Sequence, residues 1–441
     1  MNLRAHNGAT GETKAMHSSV HATEDLLFDI LVQLVIMIGA ARLLNTLFRR
    51  LGQPGVIGEI VAGLLLGPSL FGHFFPSVSA AVFGLKASPP ISVISQIGLV
   101  LLMFQIGTDF DFGHLKHPRN RNGVLLIALA SVGVPFGLGL LIGRTSQPVL
   151  APGIDPTIYS LFMGVGLAIT AVPILGRILR QFDLNRTEVG TVAISAAAVN
   201  DVVGWVMLAA ISALAAAKFT GGGLGLQFGE IAAFMGALWF IGRPLVGWLN
   251  ANLVRAGEDL PPNLIAIVLV LMFACGMATK QIGIFTIFGG FAAGLLFHQY
   301  PAFVDKWRRQ VGGFVIVFFL PVFFTSTGLR TNVLGLASAT DWTWLAVILA
   351  AAIGGKIISV YLAARASGFD HHQSSILGAL MNTRALMELI VLNIGFDLGF
   401  VPQNVFTMLV IMAVVTTIMT GPLLKLLLPR TGHVIPVGVE A

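Results

Sequence analysis

Four ionisable side chains lie deep in long apolar stretches: Asp201 in SAAAVNDVVGWVMLAAISAL, Lys356 in AVILAAAIGGKIISVYLAA, and Arg384 with Glu388 in SILGALMNTRALMELIVLNIG. A charge near a bilayer centre costs about 2.5–3.5 kcal/mol even on the lenient insertion scale. Such residues therefore face a bundle interior, where they mark an ion or proton path or lock helices together as ion pairs. Asp201 is the lone carboxylate in the middle of its stretch. Desolvation favours its neutral form and a nearby cation its charged form. A carboxylate held between these opposing effects takes either a proton or a dehydrated alkali cation, not both, and that exclusivity is all that obligatory exchange requires. Asn200 adds an amide oxygen and two donors without adding charge. Lys356, directly after Gly354-Gly355, can approach a neighbouring helix and compensate Asp201 when no cation is bound. Arg384 and Glu388 are four residues apart, so on a helix they share a face and can pair. That pair reads as mainly structural, with a tuning role open to it.

A second constellation is Thr170-Ala171-Val172-Pro173, in the middle of another apolar stretch. Pro173 has no N–H and its ring clashes with the Ile169 carbonyl, which opens the helix or kinks it. Freed carbonyls at this depth must face protein or a water-filled cavity. There, with the Thr170 hydroxyl, they can coordinate a cation. GLAITAVPILG (residues 166–176) aligns with GALMNTRALME (378–388), which sets Thr170 opposite Asn382. VIGEIVAGLLLG (56–67) likewise matches TIFGGFAAGLLF (286–297), pairing Gly58 with Gly289, Ala62 with Ala293 and Gly63 with Gly294. Both alignments match a span with the one seven later. Spans 1–6 and 8–13 are therefore candidate repeats of opposite orientation, an arrangement that places substrate sites at the midplane where broken helices meet.

The elements that must position these residues are membrane spans. Of 441 residues, 56% are hydrophobic and 10% charged, against about 25% charged in soluble domains. Thirteen spans are read, near residues 26–48, 53–71, 92–110, 122–143, 157–180, 187–217, 228–250, 262–280, 283–299, 312–329, 342–365, 373–396 and 403–427. This predicts an all-α polytopic membrane protein of about 13 transmembrane helices. A polar segment (1–25) precedes the spans and a short cytosolic tail (428–441) follows them. With the N-terminus outside, about seventeen Lys and Arg face the cytosol and about seven the other side, an asymmetry that favours N-out and C-in. Arg42, Arg49, Arg50, Lys116, Arg119, Arg121, Arg177, Arg180, Arg186, Lys306, Arg308 and Arg309 are on the cytosolic side of this count. The basic excess thus sets orientation and needs no nucleic-acid partner. One cysteine, Cys275, excludes an internal disulfide and a cysteine-built metal site. The ten His fall in termini, loops and span ends without an HExxH pair, which argues against a zinc enzyme. No cofactor is expected, and residues 1–24 lack the apolar core of a signal peptide.

At these residues the chain resembles the monovalent cation:proton antiporter-2 family, in particular bacterial sodium/proton or potassium/proton exchangers related to plant cation/proton exchangers. The resemblance is carried by QPGVIGEIVAGLLLGPS (53–69), GLVLLMFQIG (98–107), ITAVPILGRIL (169–179), AAAVNDVVGW (196–205), GGKI (354–357) and NTRALMELIVLNIG (382–395), in that order. It implies two inverted six-helix repeats with crossed broken helices, a homodimer, and a core domain (92–217 and 312–427) moving against a dimer domain with linker (26–71 and 228–299). It further implies that Asp201 carries the ion and the proton, that Thr170 and Asn200 line its site, and that Lys356 supports it. Many members have Asp-Asp where this chain has Asn200-Asp201. In related antiporters the Asp pair goes with electrogenic exchange and the Asn-Asp pair with electroneutral exchange.

The leading functional expectation is a secondary antiporter in the cell (inner) membrane, exchanging Na+ or K+ for H+ with Asp201 and Thr170 as transient alkali-cation ligands. A sodium-driven organic-anion symporter of similar fold is the second reading. An intramembrane aspartyl enzyme needs two facing catalytic Asp, and only Asp201 is central. A channel lacks a filter-like repeat.

Overall fold

The computed structural model describes residues 5–84, 88–108, 121–184, 187–220, 224–255, 258–283, 285–384 and 386–431. At residues 5–22, 88, 121, 173, 180, 212, 213, 215–220, 224–228 and 431 only the backbone is described. Lys116, Arg119, Arg186 and the tail after residue 431 lie outside the described residues.

In chain order the helices are α1 (Ala5–Arg50), α2 (Gly55–Leu66), α3 (Phe71–Phe74), α4 (Pro76–Phe83), α5 (Ser88–Thr108), α6 (Arg121–Leu150), α7 (Pro156–Ala168), α8 (Val172–Gln181), α9 (Glu188–Thr220) and α10 (Leu224–Ala237). They continue as α11 (Arg243–Leu253), α12 (Pro262–Gln281), α13 (Thr286–Phe297), α14 (Pro301–Trp307), α15 (Leu320–Leu329), α16 (Ala339–Ala366), α17 (His371–Met381), α18 (Leu386–Asp397) and α19 (Gln403–Leu427). No strand occurs among the described residues. Helix is what a chain in hydrocarbon must adopt, because it satisfies its own backbone polar groups. Among the described residues, eleven stretches are long and apolar enough to cross a membrane. The other two expected spans, 157–180 and 283–299, fall on shorter apolar helices, α7 with α8 and α13. Single π-turns precede Pro244 and Pro321 and absorb the missing N–H without ending the helix.

The glycines matched between the proposed repeats do the same job in both halves. A Cβ on Gly58 would collide with the Leu44 carbonyl of α1, and one on Gly289 with the Cys275 carbonyl of α12. A Cβ on Gly63 would strike Thr325 and Gly328 of α15; one on Gly294 would strike Phe104 and Gly107 of α5. Small residues let membrane helices approach backbone to backbone. As a result α2 packs on α1 and α15 while α13 packs on α12 and α5.

The sequence reading puts 92–110 and 312–329 in the core, but α5 packs chiefly on α13, and α15 on α2, α5 and α1. Both stand with α1, α2, α12 and α13 because their glycines face those helices. The second group is α6, α7, α8, α9, α16, α17, α18 and α19, with α6 seated on α7, α9 and α16, and α19 on α16, α17 and α18.

Candidate functional site

Two helices of this second group are broken at their middles, and the breaks touch. α7 ends at Ala168 and α8 begins at Val172, with Pro173 at its second position, so the proline starts a new helix and does not kink an old one. α17 ends at Met381, and α18 begins at Leu386. Across the crossing, the Ala171 N–H donates to the Thr383 carbonyl at 3.1 Å and the Thr170 hydroxyl to the Met381 carbonyl at 3.2 Å. Each break thereby supplies partners for the other's exposed backbone, which removes most of the penalty for opening a helix in apolar surroundings.

The C-terminal end of α7 carries the negative pole of the helix and carbonyls with no intrahelical donor. Two cations take them. Lys356 Nζ, from α16, donates to the Ala168 carbonyl and, at 2.8 Å, to the Ser131 carbonyl of α6. Arg384 Nη1 donates to the Gly166 carbonyl at 3.0 Å and Nη2 to the Ala352 carbonyl at 3.3 Å. Both side chains are fully buried. Gly355 lets α16 come close to α6, where a Cβ would collide with the Leu138 side chain. Two carbonyls at the end of α7, those of Ala168 and Gly166, are thus already held by lysine and arginine.

Beside this end stand Asn200 and Asp201 of α9, 0% and 3% exposed. Asn200 Nδ2 donates to the Ser131 hydroxyl at 2.8 Å and to the Thr170 hydroxyl at 3.1 Å. That fixes the amide with its oxygen turned away: among the described residues, Asn200 Oδ1 and Asp201 Oδ1 are buried and without hydrogen-bond partners, as are both amide atoms of Asn382. Asp201 makes no ion pair within 4.0 Å among the described residues, although Lys356 is near enough to act on it electrostatically. One turn beyond Asp201, Trp205 rests on Phe288 and Phe291 of α13 at centroid distances of 5.3 and 5.9 Å. The carboxylate's helix therefore meets the first group through an apolar contact. Unsatisfied oxygens next to a carboxylate form a donor set suited to a hard monovalent cation or a proton.

Sequence reasoning named Thr170, Asn200, Asp201, Lys356, Arg384 and Asn382, and the structure brings all six to the crossing. Glu388 lies in the first turn of α18. Its Oε1 is 3.9 Å from Arg384 Nη1, and neither carboxylate oxygen has a hydrogen-bond partner among the described residues. The expected pair is thus a loose charge contact, because Nη1 and Nη2 of the guanidinium are turned to the Gly166 and Ala352 carbonyls. Ser131 was missed, though its hydroxyl and carbonyl join Asn200 to Lys356; a serine four residues before Pro135 in an apolar span was the available signal. Glu59 was missed too. It is a buried carboxylate on α2 bonded to Asn45 at 2.6 Å, and a charge within VIGEIVAGLLLG marked it.

Residues 34–430 match the sodium/hydrogen exchanger transmembrane family. The chain belongs to this family. It is a family of cation/proton antiporters, not enzymes, and the chain is a multi-pass membrane protein. It is 35% identical to the Na(+)/H(+) antiporter NhaS4 of Synechocystis sp. over 92% of this chain and 98% of that one. It is 35% identical to Cation/H(+) antiporter 18 of Arabidopsis thaliana over 94% of this chain but only 52% of the plant protein, and so spans about half the length of that relative. The exchanger fold also matches the solved sodium proton antiporter MjNhaP1 from Methanocaldococcus jannaschii, with a TM-score of 0.63 at 16% identity, covering 90% of this chain and 96% of that one. The resemblance read from the motifs is borne out.

Proposed function

We propose that this exchanger swaps Na+ or K+ for H+, one for one, at Asp201 in the cell membrane. The observation that carries the proposal is a buried carboxylate with a free oxygen beside the crossing, flanked by the oriented Asn200 and Thr170. Asp201 holds a proton or a cation in turn. Lys356 and Arg384 keep their charge on the α7 end throughout, so the loaded core carries the same charge in both crossings. Proteins named Na(+)/H(+), cation/H(+) and K(+)/H(+) antiporters among its relatives support this substrate range.

The moving unit in this reading is α6–α9 with α16–α19. It slides as a body against α1, α2, α5, α12, α13 and α15 in an elevator-type cycle. The Trp205 contact with Phe288 and Phe291 supports such a boundary, since an apolar surface can shift without leaving charges unpaired. The matched glycine contacts support two inverted repeats and thirteen crossings, and the Lys and Arg asymmetry of the loops supports the N-terminus outside and the C-terminus in the cytosol. The first group of helices would form the homodimer contact on its side away from the core.

The test is proton flux in proteoliposomes as Na+, K+ and other alkali ions are added in turn. Purified, folded Asp201→Asn should show no cation-dependent flux, and flux persisting in it would move the carrier elsewhere.

A further inference from the structure

At the end of the molecule where α2, α15 and α18 finish and α5 and α19 begin, one guanidinium ties the two helix groups together. Arg330, capping the C-terminus of α15, donates through Nη1 to Asp397 Oδ1 at 2.6 Å and to Asn393 Oδ1 at 3.4 Å, both on α18. Its Nη2 donates to the Ser92 hydroxyl of α5 at 3.0 Å. Around it, Asn393 Nδ2 donates to the Thr327 hydroxyl of α15 at 2.9 Å, and Gln403 Nε2 of α19 to the Arg330 carbonyl at 2.6 Å. The fork of an arginine suits this task, because its planar donors reach two helices at once where a lysine offers a single point.

We propose that Arg330 is the outer latch of the exchanger: it positions α18 and the start of α19 against α5 and α15, and its release is what opens the site to the outside. This rests on the antiport reading and on the orientation given above. Two features fit a contact made to break. The Arg330 and Asp397 side chains are 27% and 43% exposed, so water can replace the bond as it opens. A cavity of about 400 Å³, lined by Gln33, Met37, Gly67, Ser92, Ser326 and Arg330, lies beside the guanidinium and leaves room for it to swing aside. In the buried site, by contrast, Lys356 and Arg384 have only protein around them. The polar contacts that must change in an alternating cycle are thus gathered at the rim, away from the ion.

The experiment compares Arg330→Ala, Arg330→Lys and Asp397→Asn in right-side-out and everted vesicles. Loss of the latch should lower the apparent cation KM at the outer face and raise it at the inner face, changing their ratio by about tenfold, the worth of one charge-assisted hydrogen bond. Arg330→Lys should fall between. A merely structural role would lower kcat from both faces and leave the ratio alone, and that result overturns the proposal. Hydrogen exchange of residues 393–407 in detergent reads the latch without any transport. Faster exchange in Arg330→Ala and Asp397→Asn is expected even if the transported ion is misassigned, and unchanged exchange in both variants rejects the latch outright. Should Arg330→Ala fail to fold, Asp397→Asn, which removes the charge and keeps the shape, carries both measurements.

Discussion

Replacing Lys356 by methionine separates its two jobs. Methionine is close in volume, so the change removes charge and donors and leaves little cavity. Two buried carbonyls, Ala168 and Ser131, lose their donor. Each orphaned buried acceptor costs about 1–3 kcal/mol, and a cation at a partly buried helix C-terminus is worth up to about 2 kcal/mol more. Water admitted to the gap offsets part of this, so the net loss should be roughly 3–6 kcal/mol. At about 2 °C per kcal/mol, the lower end of the range for large domains, Tm in detergent should fall by roughly 6–12 °C. The second job is electrostatic. Without the neighbouring positive charge a deprotonated Asp201 is harder to sustain, so proton release requires a lower proton concentration and the activity profile moves to higher pH. The double variant Lys356→Met with Asp201→Asn apportions the two effects. The charge penalty on Asp201 disappears in it, but the orphaned carbonyls remain. A partial recovery of Tm is therefore expected. Wild-type Tm and pH profile in Lys356→Met, or full recovery in the double variant, would refute the claim that the lysine caps α7.

Other perturbations bear on separate parts of the account. Arg384→Gln should lose Tm by an amount similar to Lys356→Met, since it strips the donors from Gly166 and Ala352; a neutral substitution would show that the guanidinium is dispensable to the α7 end. Ser131→Ala frees one side of the Asn200 amide and should raise the cation KM several-fold with kcat nearly unchanged, as measured by initial-rate proton flux. In a Cys275→Ser background, a disulfide joining α9 to α13 beside Trp205 should stop transport until it is reduced. Full activity in a completely crosslinked sample would rule out movement of the core against α13.

How much of this was legible follows from which forces act locally. Spans are set by length and apolarity, and the breaks by Pro173 and by polar residues at Asn382–Arg384, all visible in one dimension. The acceptors for Lys356 and Arg384 were not. A lysine beside an aspartate in an apolar bundle suggests an ion pair, but a half-helix end is itself a negative group, and only the crossing shows that its carbonyls are nearer than the carboxylate. Glu59 went unnoticed because a single acid in a glycine-rich span looks like a loop residue until Asn45 is seen beside it. The packing partners of α5 and α15 were hidden for a related reason: both helices have the same composition as their neighbours, and only the backbone contacts at Gly63, Gly107, Gly294 and Gly328 show which helices they meet.

The one-for-one stoichiometry is the prediction that draws on all of this geometry. Had Lys356 been paired directly with Asp201, an arriving cation would displace it, and burial would favour loss of its proton to the solution. Two protons would then leave per cation, and transport would move net charge. Here Lys356 has other work: its ammonium donates to Ala168 and Ser131, and shedding its proton would weaken both bonds by removing their charge assistance. Asn200, fixed by Ser131 and Thr170, cannot titrate at all. Asp201 is then the one group at the crossing that changes state, and the core moves with the same charge whether it carries a proton or an alkali ion. Each elementary charge moved through 100 mV is worth about 2.3 kcal/mol, so an exchanger that moves none is indifferent to voltage. A potential imposed across proteoliposomes with equal cation and proton concentrations on both sides should drive no net cation movement. Voltage-driven cation flux in that arrangement would reject the one-for-one cycle, and its disappearance in Lys356→Met would name the lysine as the second proton carrier.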